Sequence, residues 1–481
     1  MSLEDQLYGL LGKYVASPQW AKALAGGVYS QLPKALRYGS AYAHYRSILQ
    51  LRASTLLTQY SHEQLGRSLN WAVRTVPAYR GVISPDACVN NPIGALAQFP
   101  LLTKADIKRG PASFLSDATP VSARLKAFTG GSTAEPMAFF LEKGVSRSRE
   151  YAFMEHFQAR VDLTDQDVVL ALRGRTVTTA GEPDGKMWMY EPIKRQLIMS
   201  SDHLEPRFMP HYIEALRAWK PTFIQAYPSA IYPLTRWLAE RPAPDITARI
   251  KGIMLYSENV FDFQMHLIRQ VFDCPVLKHY GHSERVLMAA SVPGDDRYFF
   301  WPQYGHFELA DEQGRVITTP GVLGEIVGTS FDNRVMPFIR YRTGDLAVLS
   351  DRPVDDALRG YPVVERIEGR LQEFLVTRDH RLISICTMGS AHFDMLAQME
   401  TIQYEQREPG VFDLKVVASR KLTQSELSNI KHAVQDKTQG GCEVLVREVD
   451  AIPRTNRGKH VMLIQHLDIS HQLGANFKNL T

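Results

Sequence analysis

Four short stretches of the chain carry side chains that could hold a phosphorylated ligand or take part in ionic chemistry. Phe128-Thr129-Gly130-Gly131-Ser132-Thr133-Ala134-Glu135-Pro136 packs glycines among hydroxyl side chains. Glycines let backbone N–H groups turn toward an anion and hydroxyls add donors, so such a loop can cradle phosphates. No Gly-Lys-Ser/Thr follows at the spacing of a Walker A loop. Tyr280-Gly281-His282-Ser283-Glu284 offers an aromatic face, a hydroxyl and a carboxylate able to bind a hard cation. Thr343-Gly344-Asp345 sets a carboxylate in a turn, where it can accept hydrogen bonds from both hydroxyls of a ribose. Ile452-Pro453-Arg454-Thr455-Asn456-Arg457-Gly458-Lys459 places one lysine after a glycine in a basic loop. Alone, each stretch also has the composition of an ordinary polar turn.

Other chemistries lack their signatures. His279 and His282, with Cys274 nearby, lack the fourth ligand of a zinc site. Neither a Gly-x-Ser-x-Gly elbow nor an HExxH helix occurs, which removes the serine hydrolase and zincin readings. The formal charge is +4, from 55 Lys and Arg against 51 Asp and Glu, with no basic run, so no nucleic-acid partner is expected. Cys88, Cys274, Cys386 and Cys442 are scattered without a CxxC pair, which predicts reduced thiols and a cytoplasmic setting. No run of about 18 apolar residues suggests a membrane span, and no secretory signal is expected.

The elements that must position these stretches follow from periodicity. Up to about residue 80 the chain reads as helical. Ser61 to Gln64 has capping-box spacing, Leu65, Leu69, Ala72 and Val76 follow on one face, and Pro77 ends the run. Between 100 and 345, apolar runs such as Val168 to Leu172 and Ile253 to Tyr256 alternate with amphipathic stretches such as Tyr212 to Leu216, which predicts an α/β body. Pro275-Val276-Leu277 reads as a buried strand, and a loop at such a strand's carboxyl end is the usual ligand position. From Gly324 to Leu349 the pattern is strand, turn at Thr343 to Asp345, and strand, a β-rich subdomain. A strand near Leu414 to Val417, a helix opened by Thr423 to Glu426 and a strand at Val444 to Val446 form a small α+β unit.

In order, TGGSTAEP, YGHSE, YRTGDL, RIEGR and the terminal GK resemble the acyl-adenylate-forming superfamily. The chain is similar to its phenylacetate-CoA ligase branch and capsule-polysaccharide-biosynthesis relatives through Thr75 to Arg80, Phe99 to Lys104 and Ala226 to Ser229. The resemblance implies an α/β fold in two parts. A large N-terminal adenylation domain with a β-rich subdomain would span residues 1–369, and a small mobile α+β lid would span 370–481. It implies an AMP-forming ligase that takes ATP, Mg2+ and a small carboxylic acid, then passes the acyl group to an acceptor.

Carried over by position, Thr129, Gly130, Gly131, Ser132 and Thr133 would hold the phosphates. Tyr280 would stack on adenine beside Gly281 and His282, and Ser283 would touch the α-phosphate. Glu284 would bind the metal, Asp345 and Arg370 the ribose, and Lys459 would bridge the carboxylate and the α-phosphate. Gln372 would be the hinge. Phe128, Tyr227 and Tyr256 are the expected walls of the acid pocket. His380 stands where relatives often have a glycine that gives pantetheine room. The acceptor therefore stays open between CoA and an amine or hydroxyl, for example of a sugar in surface-polysaccharide assembly. A homodimer also stays open, as does an inactive nucleotide-binding scaffold, although a mere binder would not need Lys459.

Overall fold

The computed structural model describes residues 3, 7, 14, 17–129, 137–173, 187–201, 204, 206–370, 374–380, 382–385, 399–418, 420–438, 440–453 and 460–467. Gly130, Gly131, Ser132, Thr133, Gln372 and Lys459 lie outside these residues, and only the backbone of Arg370 is described.

Strands β1 (Arg124–Phe128) and β2 (Ala138–Glu142) form a hairpin. The body is one twelve-stranded sheet. Its strands are β3 (Val169–Leu172), β4 (Trp188–Glu191), β5 (Gln196–Met199), β6 (Phe223–Ala226), β7 (Gly252–Tyr256) and β8 (Val276–Gly281), then β9 (Met288–Val292), β10 (Asp295–Phe300), β11 (Gly305–Ala310), β12 (Leu323–Ser330), β13 (Tyr341–Leu349) and β14 (Val363–Arg370). Their order across the sheet is β11-β12-β13-β14-β10-β9-β8-β7-β6-β3-β5-β4. Pairing is parallel from β5 through β3, β6 and β7 to β8 and antiparallel elsewhere.

The parallel strands β3, β6 and β7 are buried along their whole length. Their near-continuous apolar sequences suit a sheet covered on both faces. Helices Met209–Trp219, Pro228–Glu240 and Asp262–Phe272 supply Leu216, Ile231, Leu234 and Ile268 to one core. Helices Lys34–Ile48 and Ser146–Gln158 supply Tyr45, Ile48, Phe153 and Phe157 to another.

A second, four-stranded sheet follows. After the short pair β15 (Phe374–Val376) and β16 (Leu382–Ser384), it contains β17 (Met399–Glu408), β18 (Val411–Ala418), β19 (Glu443–Glu448) and β20 (Leu463–Gln465), in the order β19-β18-β17-β20. The helix Gln424–Lys437 crosses from β18 to the parallel β19, and its Ile430 and Val434 pack on Tyr404, Leu414 and Val444. Thr423 caps it: the Thr423 hydroxyl accepts from the Glu426 N–H while the Glu426 carboxylate accepts from the Thr423 N–H.

Two expectations about elements are corrected. The helix expected to begin at Ser61 runs Ser54–Thr75, with no side-chain cap at Ala53, and Ser61 lies buried inside it. Leu57 extends its apolar face one turn earlier, so packing overrides the local cap signal. Thr343-Gly344-Asp345 is no turn between two strands but lies inside the continuous β13. There Arg342 pairs with Val327 and Leu346 with Glu325, so three residues of β13 face one of β12, a bulge.

Candidate active site

A cavity of about 460 Å3 opens at the carboxyl ends of β6, β7 and β8. That is where parallel strands leave their ligands, and the size is within the range of small-molecule sites, roughly 300–1,000 Å3. Thr129, Tyr227, Tyr280, Gly281, His282, Ser283, Glu284 and Asp345 line it, joined by His460 to Leu463 from the C-terminal part of the chain.

Each motif is held by identifiable contacts. Thr129 follows the last residue of β1. Its N–H donates to the Met137 carbonyl at 2.9 Å and its hydroxyl accepts from the Met137 N–H at 2.9 Å, closing the hairpin mouth. The glycine-rich stretch thus connects β1 to β2. Tyr280 and Gly281 are the last residues of β8 rather than the first of the loop after it. The Tyr280 hydroxyl donates to Asp345 Oδ2 at 2.8 Å.

The bulge explains where Asp345 sits. Gly344 has φ +80°, the left-handed region that costs a glycine little. Its N–H donates to Glu325 Oε1 at 3.0 Å, the Thr343 hydroxyl donates to the Ile326 carbonyl at 2.8 Å, and the Asp345 N–H donates to that hydroxyl oxygen at 3.0 Å. Asp345 is the cross-strand partner of Arg370 in backbone register, so the two residues expected at the ribose share one ladder position.

Glu284 is 4 % exposed, and its carboxylate accepts from the Tyr341 hydroxyl and lies 3.8 Å from the Lys104 ammonium. Burial of a carboxylate is tolerable only with such partners. Among the described residues no group of three or more His, Cys, Asp and Glu side chains could hold a metal ion. A single carboxylate does suit Mg2+ that is bound mainly through phosphate oxygens.

Two histidines on the cavity wall stay neutral. Burial, with Arg173 and Arg160 adding repulsion, pushes the His279 imidazole down to about 3. Burial also lowers His282, against the opposing pull of Glu284 and Asp345. The Val286 N–H donates to His282 Nε2 at 3.3 Å, which puts the proton on Nδ1, and neither His282 Nδ1 nor His279 Nε2 has a hydrogen-bond partner.

The loop after Glu284 is pinned from behind. Arg149, 1 % exposed, donates to the carbonyls of Arg285 at 2.6 Å and Tyr304 at 3.0 Å and pairs with Asp332 at 2.6 Å. Arg285 itself has φ +54° and donates to the Ser146 hydroxyl at 3.0 Å.

The expected pocket walls separate. Tyr227 lines the cavity. Phe128 does not: at the end of β1 its ring is 51 % exposed under the Lys126 ammonium, because alternation turns it away from the sheet. Tyr256 does not either, being the last residue of β7 and packed in the core against Phe157 and His279. The sequence alone points to no role for Lys104, Tyr341 or Arg149. Lys104 ends the Phe99 to Lys104 stretch and Tyr341 begins YRTGDL, whereas nothing local marks Arg149.

No family model matches the chain. Protein CapK of Staphylococcus aureus is 21% identical over 431 residues, 88% of this chain and 92% of that protein. Phenylacetate-coenzyme A ligase of Pseudomonas putida is 24% identical over 169 residues, 34% of this chain and 38% of that enzyme. Among solved structures, a 2-hydroxyisobutyryl-CoA ligase in the postadenylation state, in complex with 2-HIB-AMP, has a TM-score of 0.66 at 16% identity, covering 86% of this chain and 90% of that one. The same ligase with 2-HIB-AMP and CoA in the thioesterification state scores 0.51 at 17% identity, covering 85% and 89%. In fold the chain is thus similar to an acyl-CoA ligase solved with its acyl-adenylate, and in sequence to CapK and to a phenylacetate-coenzyme A ligase, the likeness expected of the acyl-adenylate-forming superfamily.

Proposed function

We propose that the chain activates a small carboxylic acid with ATP and then passes the acyl group to an acceptor. A carboxylate oxygen of the acid attacks the α-phosphorus and the bond to pyrophosphate breaks, leaving acyl-AMP on the enzyme. The acceptor's nucleophile then attacks the acyl carbon and AMP leaves. The observation that carries this reading is the convergence on one cavity of Thr129, Tyr280, Ser283, Glu284 and Asp345 with the segment that begins at His460. Lys459 immediately precedes that segment.

In this reading the stretch from Thr129 through Gly130, Gly131, Ser132 and Thr133 holds the β and γ phosphates, and Tyr280 stacks on adenine beside Gly281 and His282. Ser283 donates to the α-phosphate, and Asp345 and Arg370 take the ribose. Bound Mg2+ supplies charge neutralisation of the phosphates, with Glu284 as its carboxylate, and Lys104 and Tyr341 hold Glu284 in place. Lys459 joins the attacking carboxylate to the α-phosphate, where negative charge gathers in the transition state.

We place the pivot between body and lid near residue 370, with Gln372 at the hinge. CoA is one acceptor. His380, with φ +57° where a glycine would be unstrained, favours testing amines and sugar hydroxyls beside it.

The test is a panel of carboxylates scored by exchange of labelled pyrophosphate into ATP with Mg2+, each acceptor then added in turn. Acid-dependent exchange and AMP release are expected. Exchange without acid, or release of ADP, would sink the reading.

A further inference from the structure

The helix Gln19–Gln31 is mounted with its apolar side outward. Trp20, Leu24 and Val28, one turn apart, are 72, 66 and 64 % exposed, and Leu36 on the next helix is 58 % exposed. Facing the body instead are Lys22, 7 % exposed, and Gly26, whose Cα lies close enough to Pro192 that an added Cβ would stand 2.9 Å from the proline Cβ. A surface helix that stops at the protein would reverse this arrangement. A contiguous apolar strip of this kind marks a contact with something else.

Charge says what that is. From Gln6 to His62 the chain has no Asp or Glu. Residues 1–62 hold six Lys or Arg and two Asp or Glu while the rest holds 49 of each, so the formal charge of +4 belongs to this stretch of sequence; within it Lys22 and Arg37 are buried, Arg46 is half-buried and Arg52 is exposed. Lys194 and Arg195, on the turn that follows Pro192 and Ile193 beneath the helix, are exposed and add to it. The acids that other elements bring close are engaged. Glu155 and Asp165 pair with Lys34, and Glu191 accepts from the Tyr14 hydroxyl and from the Ile193 and Lys194 N–H groups.

We infer that this N-terminal face seats the protein on a bilayer surface rich in anionic lipid, Trp20, Leu24 and Val28 entering the headgroup boundary and the exposed Lys194 and Arg195 meeting the negative charge. Among the described residues no helix is long and apolar enough to cross a membrane, so the contact is peripheral. The strip suits a lipid boundary better than a second copy of the chain, because two such faces would bring like charge together.

Sedimentation with phosphatidylglycerol–phosphatidylcholine vesicles tests this, against phosphatidylcholine vesicles alone. The native chain should bind the anionic vesicles, several-fold less at about 0.5 M than at about 0.1 M salt. Trp20→Ser/Leu24→Ser/Val28→Ser should bind at least about tenfold more weakly with an unchanged unfolding midpoint, since the replaced groups are exposed. Absence of binding by the native chain overturns the inference, as does equal binding by the variant. A concentration-dependent dimer that the variant loses, without vesicle binding, gives the face to a second copy and overturns it too.

Discussion

Asp345→Ala is the substitution that most directly probes the nucleotide site. The carboxylate offers two oxygens with about four acceptor positions, and the Tyr280 hydroxyl takes one of them at 2.8 Å. The bulge fixes the backbone through Glu325, Thr343 and Ile326, none of which depends on the Asp345 side chain, so the fold around residue 345 should survive. Removing an ionised acceptor from a sugar hydroxyl costs about 1.5–3 kcal/mol. At 1.4 kcal/mol per decade, ATP should bind roughly 10- to 150-fold more weakly. Calorimetric titration of ATP into the variant reads this, with circular dichroism as the check on folding. Tyr280→Phe is the control: it keeps the ring that would stack and removes only the hydroxyl, so its loss should be several-fold smaller. Unchanged ATP affinity in folded Asp345→Ala would remove Asp345 from the site, and equal losses in both variants would mean that Asp345 serves only to orient Tyr280.

Lys459→Ala should slow acyl-AMP formation about a hundredfold to a thousandfold, the effect of losing one preorganised donor, with little change in ATP binding. Supplied acyl-AMP should still be transferred at near the native rate, and equal damage to both half-reactions would mean that Lys459 only stabilises the C-terminal part of the chain. Arg149→Met leaves Asp332 buried without its cation and should cost about 3–5 kcal/mol in urea unfolding, a loss below about 1 kcal/mol refuting the pinning role. Acid should destabilise the fold through its buried imidazoles. Burial holds His156 and His306 at about 4 and His279 at about 3, while unfolded histidine titrates near 6.5. The unfolded chain therefore binds more protons below about pH 6.5, and each of these histidines withdraws roughly 2 kcal/mol by pH 5. Urea unfolding at pH 7.5 and pH 5 should show the fall, and a flat profile would mean that these imidazoles protonate within the native fold.

The sequence carries the strands and the order of the motifs because those signals are local. Val169–Leu172 and Gly252–Tyr256 are buried apolar runs of strand length, and Thr423 with Glu426 caps its helix where their spacing says it should. What stays hidden is set by distant partners. Thr-Gly-Asp reads as a turn because its residues favour one, and only the register against β12 makes it a bulge. Tyr341 reaches Glu284 across 57 residues, and Arg149 reaches the Arg285 carbonyl across 136, so neither role has a local trace. Phe128 ends β1 and Tyr227 follows β6, and the residue types alone do not say which ring turns toward the cavity.

The path of the last described strand links the cavity to the stability of the C-terminal sheet. β20 is only three residues long and lies at the sheet's edge, paired among the described residues with β17 alone, and the residues just before it form part of the cavity wall. An edge strand this short opens at low free energy and exchanges its amide hydrogens quickly. A ligand that rests against His460 to Leu463 must hold the same segment closed. Occupancy of the cavity thus becomes readable as slowed exchange of the Leu463 to Gln465 amides, a record of ligand contact that needs neither a labelled substrate nor turnover.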